Sequence, residues 1–153
     1  MKNSAEAELI EKNLNSLVES WEAAVRSDES ILSAEDMTPG GLRDHLPEVL
    51  EEICEMLRAG ETPQIHNTRE ARVSAYSRFR QNYRAQDLAA EISLFRLTLL
   101  DFLEAALLGN SSGLEIAGYL TATRKIHMYI DEELRYAISI FSESVTDNTI
   151  ETK

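Results

Sequence analysis

The sequence predicts one all-α domain, and three observations carry that expectation. Five segments repeat their apolar residues at spacings of three and four, the mark of helices with one buried face. Three prolines and six glycines interrupt 153 residues, too little punctuation for an all-β chain with many tight turns. No segment alternates apolar and polar residues as a half-buried strand does.

The first helix is expected over about Ser4 to Arg26, with Ile10, Leu14, Leu17, Val18, Trp21 and Val25 on one stripe. Asn3 followed by Glu6 supplies its capped start. Ser27 to Gly41 is polar, ends in Thr38-Pro39-Gly40-Gly41, and reads as a loop with a short helical turn. The second helix spans about Leu46 to Ala59, with Pro47 near its start and Gly60 placed to end it. Its apolar face is Val49, Leu50, Ile53, Cys54 and Leu57. The third runs from about Thr68 to Tyr83 through Val73, Tyr76 and Phe79. The fourth, about Gln86 to Leu108, is the most apolar, and Asn110-Ser111-Ser112-Gly113 breaks the chain after it. The fifth covers about Leu114 to Ser144, with a seam through Leu120, Thr123, His127, Ile130, Leu134, Ala137 and Phe141. Such a seam accepts a second helix, inside the domain or across a dimer. Thr146 to Lys153 reads as a polar, frayed tail.

Composition narrows the function. A chain of this length buries about 70% of its unfolded surface and folds without disulfide or metal. Fifteen basic residues against 27 acidic ones give a net charge of -12. That surface repels phosphate backbones and anionic membranes, so neither nucleic acid nor membrane is an expected partner. Cys54 stands alone and suits a reducing cytoplasm. No apolar stretch resembles a signal peptide or a membrane span.

Candidate chemistry is sparse. His127 falls on the apolar seam, where an imidazole ligates haem or another metal, senses pH, or is simply satisfied by one hydrogen bond. His66 precedes Glu70, and His127 precedes Asp131, by four residues. That spacing brings each pair to one helix face, but two ligands do not make a metal site. Cys54 is a bilin attachment point or, more ordinarily, a small buried hydrophobe. On these residues no haem, metal or other cofactor is expected. The third helix concentrates charge: Arg69, Arg72, Arg78, Arg80 and Arg84 are five of the eleven arginines. Arg72, Tyr76, Arg80 and Arg84 advance by four, a stripe that grips an acidic partner or pairs with neighbouring glutamates. No Gly-rich phosphate loop, nucleophile elbow or paired-carboxylate motif is present, and no enzymatic activity is expected.

The stretch Leu42-Arg43-Asp44-His45-Leu46-Pro47-Glu48-Val49-Leu50 resembles the LRDHLPxLL signature of the N-terminal sensor domain of the RsbR/RsbRD co-antagonist family. Leu17-Val18-Glu19-Ser20-Trp21 matches the tryptophan that closes that family's first helix. Ser74-Ala75-Tyr76-Ser77-Arg78 fills its histidine-glycine-x-x-arginine stretch, with Ser74 in place of the histidine and Ala75 in place of the glycine. Glu91-Ile92-Ser93-Leu94-Phe95-Arg96 fills its glutamate–aromatic–x–x–leucine–arginine stretch, departing at Ile92 and Phe95. The likeness covers about residues 9 to 141. Family domains resemble globins without haem and head stressosome proteins and bacterial histidine kinases.

The resemblance implies a globin-like bundle of about five main helices over residues 1–145, followed by the tail at 146–153. It implies a signalling input domain, carrying over Arg78, Glu91 and Arg96 as structural or regulatory residues, with at least one ion pair between the third and fourth helices. The long fifth helix and the first suggest a homodimer through Leu14, Leu17, Trp21, Leu134, Ile138 and Phe141. The expected partners are a second copy and a downstream signalling protein or output domain. No kinase or STAS-like sequence precedes Lys153, so a stand-alone regulator and an excised sensor both remain open. The alternative function is a globin-type carrier, with a small molecule between the fourth and fifth helices and His127 facing inward.

Overall fold

The computed structural model describes residues 4–35, 37–63, 68–109 and 113–151, with side chains through Glu143 except at Pro39. Asn3 and His66, together with residues 110–112, lie outside them. Among the described residues there are seven α-helices and no strand. The chain is all-α, in an arrangement compatible with a globin-like bundle.

The expected first helix is two. Helix α1 (Ala5–Lys12) and helix α2 (Leu14–Ser27) meet at Asn13. Asn13 Nδ2 donates to the Leu9 carbonyl at 2.9 Å, while its backbone N–H moves to Ile10 O at 3.1 Å. A carboxamide that takes the carbonyl owed to its own backbone N–H bends a helix. The α1 cap is Ser4, whose Oγ accepts from Ala7 N at 3.1 Å.

The polar stretch that follows contains a 3-10 turn at Leu32–Ala34 and the short helix α3 (Pro39–Arg43), capped by Thr38. A sharp corner leads into α4 (Leu46–Ala59). His45 supplies it in the left-handed region at φ 68°, and Pro47 follows within the first turn, where its missing N–H costs nothing. Gly60, also left-handed, ends α4.

Helix α5 (Arg69–Arg80) ends three residues earlier than the periodicity suggests. Its buried residues are Ala71, Ala75 and Arg78, whereas Tyr76 is exposed. Asn82 then turns the chain in the left-handed region at φ 62°. Helix α6 (Ala85–Leu108) packs on α2 and α7, and its buried face runs Leu88, Ile92, Phe95, Leu99 and Leu103.

Helix α7 runs Ile116–Glu151, so its backbone continues into the segment expected to fray. Its buried stripe is Ala122, Ile126, Tyr129, Ile130, Glu133 and Ala137. The expected seam was therefore rotated. Leu120 is 59% exposed, and His127 is half-buried at the edge. With α1 against α4 and α5 against α7, the helices enclose one core.

Candidate functional site: a buried acidic cluster

Arg78 leaves the buried face of α5 with only 5% of its surface exposed. Its Nη1 donates to Gly41 O at 3.1 Å and to Gln81 Oε1 at 2.9 Å, and its Nη2 donates to Leu42 O. The guanidinium thus fastens α5 to the end of α3 and stacks over the Tyr83 ring, 5.1 Å from its centroid. Its Nε lies 3.4 Å from Glu91 Oε1 on α6. This is an ion pair between the helices that the sequence numbers third and fourth.

Glu91 is poorly satisfied. Both carboxylate oxygens, the Tyr83 hydroxyl and Glu133 Oε2 on α7 make no hydrogen bond among the described residues. Tyr83 lies close enough to Glu91 for each to perturb the other's titration, but the geometry falls short of a hydrogen bond. Burial pushes Glu91 up to about 7, against the pull of Arg78. Burial, reinforced by Glu52 and Glu91, pushes Glu133 up to about 8. Glu52 is better served: Tyr129 Oη donates to it at 2.6 Å and Glu70 N at 3.0 Å.

Glu91, Glu133, Arg78 and Ser74 share a cavity of about 30 Å3 with apolar walls from Trp21, Leu88 and Phe95. That is room for about two waters. The site sits where six helices, α2 to α7, converge. It can exchange protons near neutral pH or hold a small hydrogen-bond donor, and it is far too small for a tetrapyrrole. Ser74, which replaces the family histidine, lines it. His127 does not, so the inward-facing histidine expected for a carrier is not observed.

Arg96 stands apart from this cluster. Its Nη1 lies 2.9 Å from His127 Nδ1, and its Nη2 donates to Asp131 at 2.8 Å. A guanidinium only donates, so Nδ1 must accept, which places the proton of the neutral ring on Nε2. The His127–Asp131 pair considered for a metal is thus already facing a cation. Among the described residues, no group of three or more His, Cys, Asp and Glu could hold a metal ion. Cys54 is buried, its Sγ donates to Ala7 O at 3.5 Å, and burial pushes the thiol up to about 12. It is an inert core residue.

The arginine stripe is broken. Arg72 and Arg80 are exposed on α5, but Arg84 lies beyond its end and caps α6. Arg84 holds Asp87 through Nε at 2.8 Å and Nη2 at 2.7 Å, and Ser33 N adds a bond at 3.1 Å. Burial raises the Asp87 pKa, but these hydrogen bonds outweigh it and hold the carboxyl below its ordinary range.

The expected dimer patch also needs correction. Leu17 and Trp21 are buried within the chain, at 5% and 4% exposure. Trp21 Nε1 donates to the Glu91 carbonyl at 3.1 Å. Leu14, Leu134 and Phe141 are partly buried against the same core, Phe141 edge-on to Phe79 with centroids 5.2 Å apart. Only Ile138 of the six is fully available, at 64% exposure. The exposed large apolar residues also include Leu97, Leu120 and Ile116.

Glu133 and Tyr83 were missed by sequence reasoning. The signal for Glu133 was its register: it follows Ile126 and Ile130 at spacings of seven and three on α7, so an acidic residue interrupts a buried stripe.

A family model described as the RsbT co-antagonist protein rsbRD N-terminal domain matches residues 15–149. No curated protein and no solved structure gives a significant match.

Proposed function

The chain belongs to the RsbT co-antagonist protein rsbRD N-terminal domain family, and from that premise we propose that it works through contacts with a second copy and an output partner rather than through catalysis. Membership makes it a signalling or regulatory input domain in general. The observation that carries the finer reading is the outer face of α7. Leu120 and Ile138, 59% and 64% exposed, are eighteen residues apart. Eighteen residues are about five turns, so both lie on one line along the helix. Half-buried Leu134 continues that stripe, and Arg96, His127 and Asp131 form its polar middle. A stripe with apolar ends and a polar centre suits a self-complementary two-fold contact.

The reading assigns no bond-making role to the buried carboxylates, because their cavity of about 30 Å3 leaves no room for a substrate of ordinary size. The net charge of -12 favours a protein partner over nucleic acid or an anionic membrane. No described helix is long and apolar enough to cross a membrane, and we place the domain in the cytoplasm, as the lone thiol suggests. Light scattering tests the dimer. The expected mass is twice 17.2 kDa. A mass that stays at the single-chain value at every accessible concentration would overturn it.

A further inference from the structure

We propose that the cavity between α5, α6 and α7 is a binding site for the ammonium group of a small primary amine, held by the carboxylates of Glu91 and Glu133. Binding there stands or falls independently of the dimer, because it is read on the chain itself and needs no output.

The donor and acceptor inventory comes first. Three carboxylate oxygens, two of Glu91 and one of Glu133, belong to side chains 3% and 6% exposed and have no hydrogen-bond partner among the described residues. When ionised, each of them only accepts. A primary ammonium carries three donors and no acceptor. Arg78 cannot serve the same oxygens well. Its Nη groups are directed to Gly41 O, Leu42 O and Gln81, and its Nε stands 3.4 Å from Glu91.

Charge points the same way. Glu91 and Glu133 face one guanidinium from inside the same cavity. Around them, Glu52 faces Glu133 from α4, while Tyr83 and Asp87 perturb Glu91 from its other side. Asp87 is already matched by Arg84, so Glu91 and Glu133 outnumber Arg78 by one charge when both are ionised, and Glu52 adds to that excess. Two waters could fill the space, but they would leave that charge uncompensated in a medium of low dielectric. An anion is repelled. A proton also compensates it, and competes with the amine.

Size and wall chemistry set the ligand class. About 30 Å3 takes two or three heavy atoms. Trp21, Leu88, Ile92 and Phe95 line the remainder, which favours a short alkyl group over a hydrated metal ion. Asp44, exposed, and Ser74, half-buried, line the outer side. The Asp44 carboxylate there attracts a cation on its way in.

Thermal unfolding of the whole chain, titrated with methylammonium chloride at about pH 8.5, tests the site. Sodium chloride controls for ionic strength. Tetramethylammonium chloride controls for charge without donors. The expected result is a saturable rise in Tm with methylammonium alone, smaller at about pH 6, where protons occupy the carboxylates. Glu133→Gln, an uncharged isostere checked for folding by circular dichroism, should abolish the rise. Ser74→Leu, which narrows the outer side without touching a carboxylate, should weaken it while leaving the pH dependence of Tm in place. The proposal is overturned if methylammonium acts no differently from the control salts, or if its effect survives in Glu133→Gln. It is equally overturned if Tm responds to pH alone, since the cavity would then take only protons.

Discussion

At Arg78 a single guanidinium joins three parts of the chain: the end of α3, the turn after α5, and Glu91 on α6. Removing one partner from a buried pair leaves the other charged and unsolvated, at a cost of about 3 to 5 kcal/mol. Arg78→Ala should therefore lower Tm by roughly 10 °C in a domain of this size. An unchanged melting curve would show that Gly41, Leu42 and Glu91 do not depend on it. The buried carboxylates make a separate prediction. The ordinary glutamate value is 4.5, while Glu91 lies near 7 and Glu133 near 8. Both folded-state values are raised, so the folded chain binds these protons more tightly than the unfolded one. Their contribution is fully present below about pH 4.5 and is lost as pH rises through about 7 and 8. Asp87 and Glu11 are held below their ordinary range and oppose this only at lower pH. Between about pH 5 and 9, stability should fall by on the order of 5 to 7 kcal/mol, and Glu133→Gln should flatten much of that slope. A Tm that is flat or rising across this interval in the parent chain contradicts the placement of Glu133. Arg78 and Glu91 were legible in the sequence because the motif likeness singled them out. Glu133 was not, because a seam read one residue out of register puts it beside the buried stripe instead of on it.

Element boundaries show where local chemistry overrides periodicity. The apolar spacing from Ile10 to Val25 runs on across Asn13, and nothing in that pattern records a carboxamide capturing the Leu9 carbonyl. The ends of α4 were readable because Pro47 and Gly60 mark them chemically. The end of α5 was not, since Tyr83 continues its apolar pattern but is buried from the turn beyond the helix. The corner before α4 gives a test at this scale. His45 adopts φ 68°, a conformation that costs a side chain about 1 to 2 kcal/mol and costs a β-branched one more. His45→Gly should hold or slightly raise Tm despite the more flexible unfolded chain, whereas His45→Val should cost about 1 to 2 kcal/mol and lower Tm by roughly 5 °C. Equal melting temperatures for the two variants would mean that this corner relaxes to another conformation. The Leu42-to-Pro47 stretch is then explained physically. Leu42 and Leu46 plug the core at 0% and 8% exposure, and the residues between them make the turn, with Arg43 tied to Glu22 on α2.

Across the whole molecule, the distinction that matters is between apolar residues that close the core and those that remain outside it. A long helix and an apolar stripe are visible in sequence, but which side of the stripe faces its own bundle depends on how α1, α4, α5 and α6 pack against it. Trp21 illustrates this: its indole is held by the Glu91 carbonyl inside the chain, so it belongs to the fold and not to a docking face. Leu120 and Ile138 have the opposite character, more than half exposed on the outer line of α7. Substitution should separate the two roles. Trp21→Ala should cost about 3 to 5 kcal/mol as a large core cavity opens. Leu120→Asp and Ile138→Asp remove no buried side chain, and exposed substitutions of this kind change chain stability by only about 0.5 kcal/mol. They place like charges opposite one another across a two-fold axis, so the dimer should dissociate while helical content is retained. Light scattering beside circular dichroism reads both quantities on one sample. If the double variant Leu120→Asp/Ile138→Asp keeps the mass of the parent dimer, the contact lies elsewhere, and Leu97 on α6, 51% exposed, is the next residue to substitute. If instead the variant loses its helical signal with its mass, folding and association are a single event, and the outer face of α7 is part of the core of a two-chain structure.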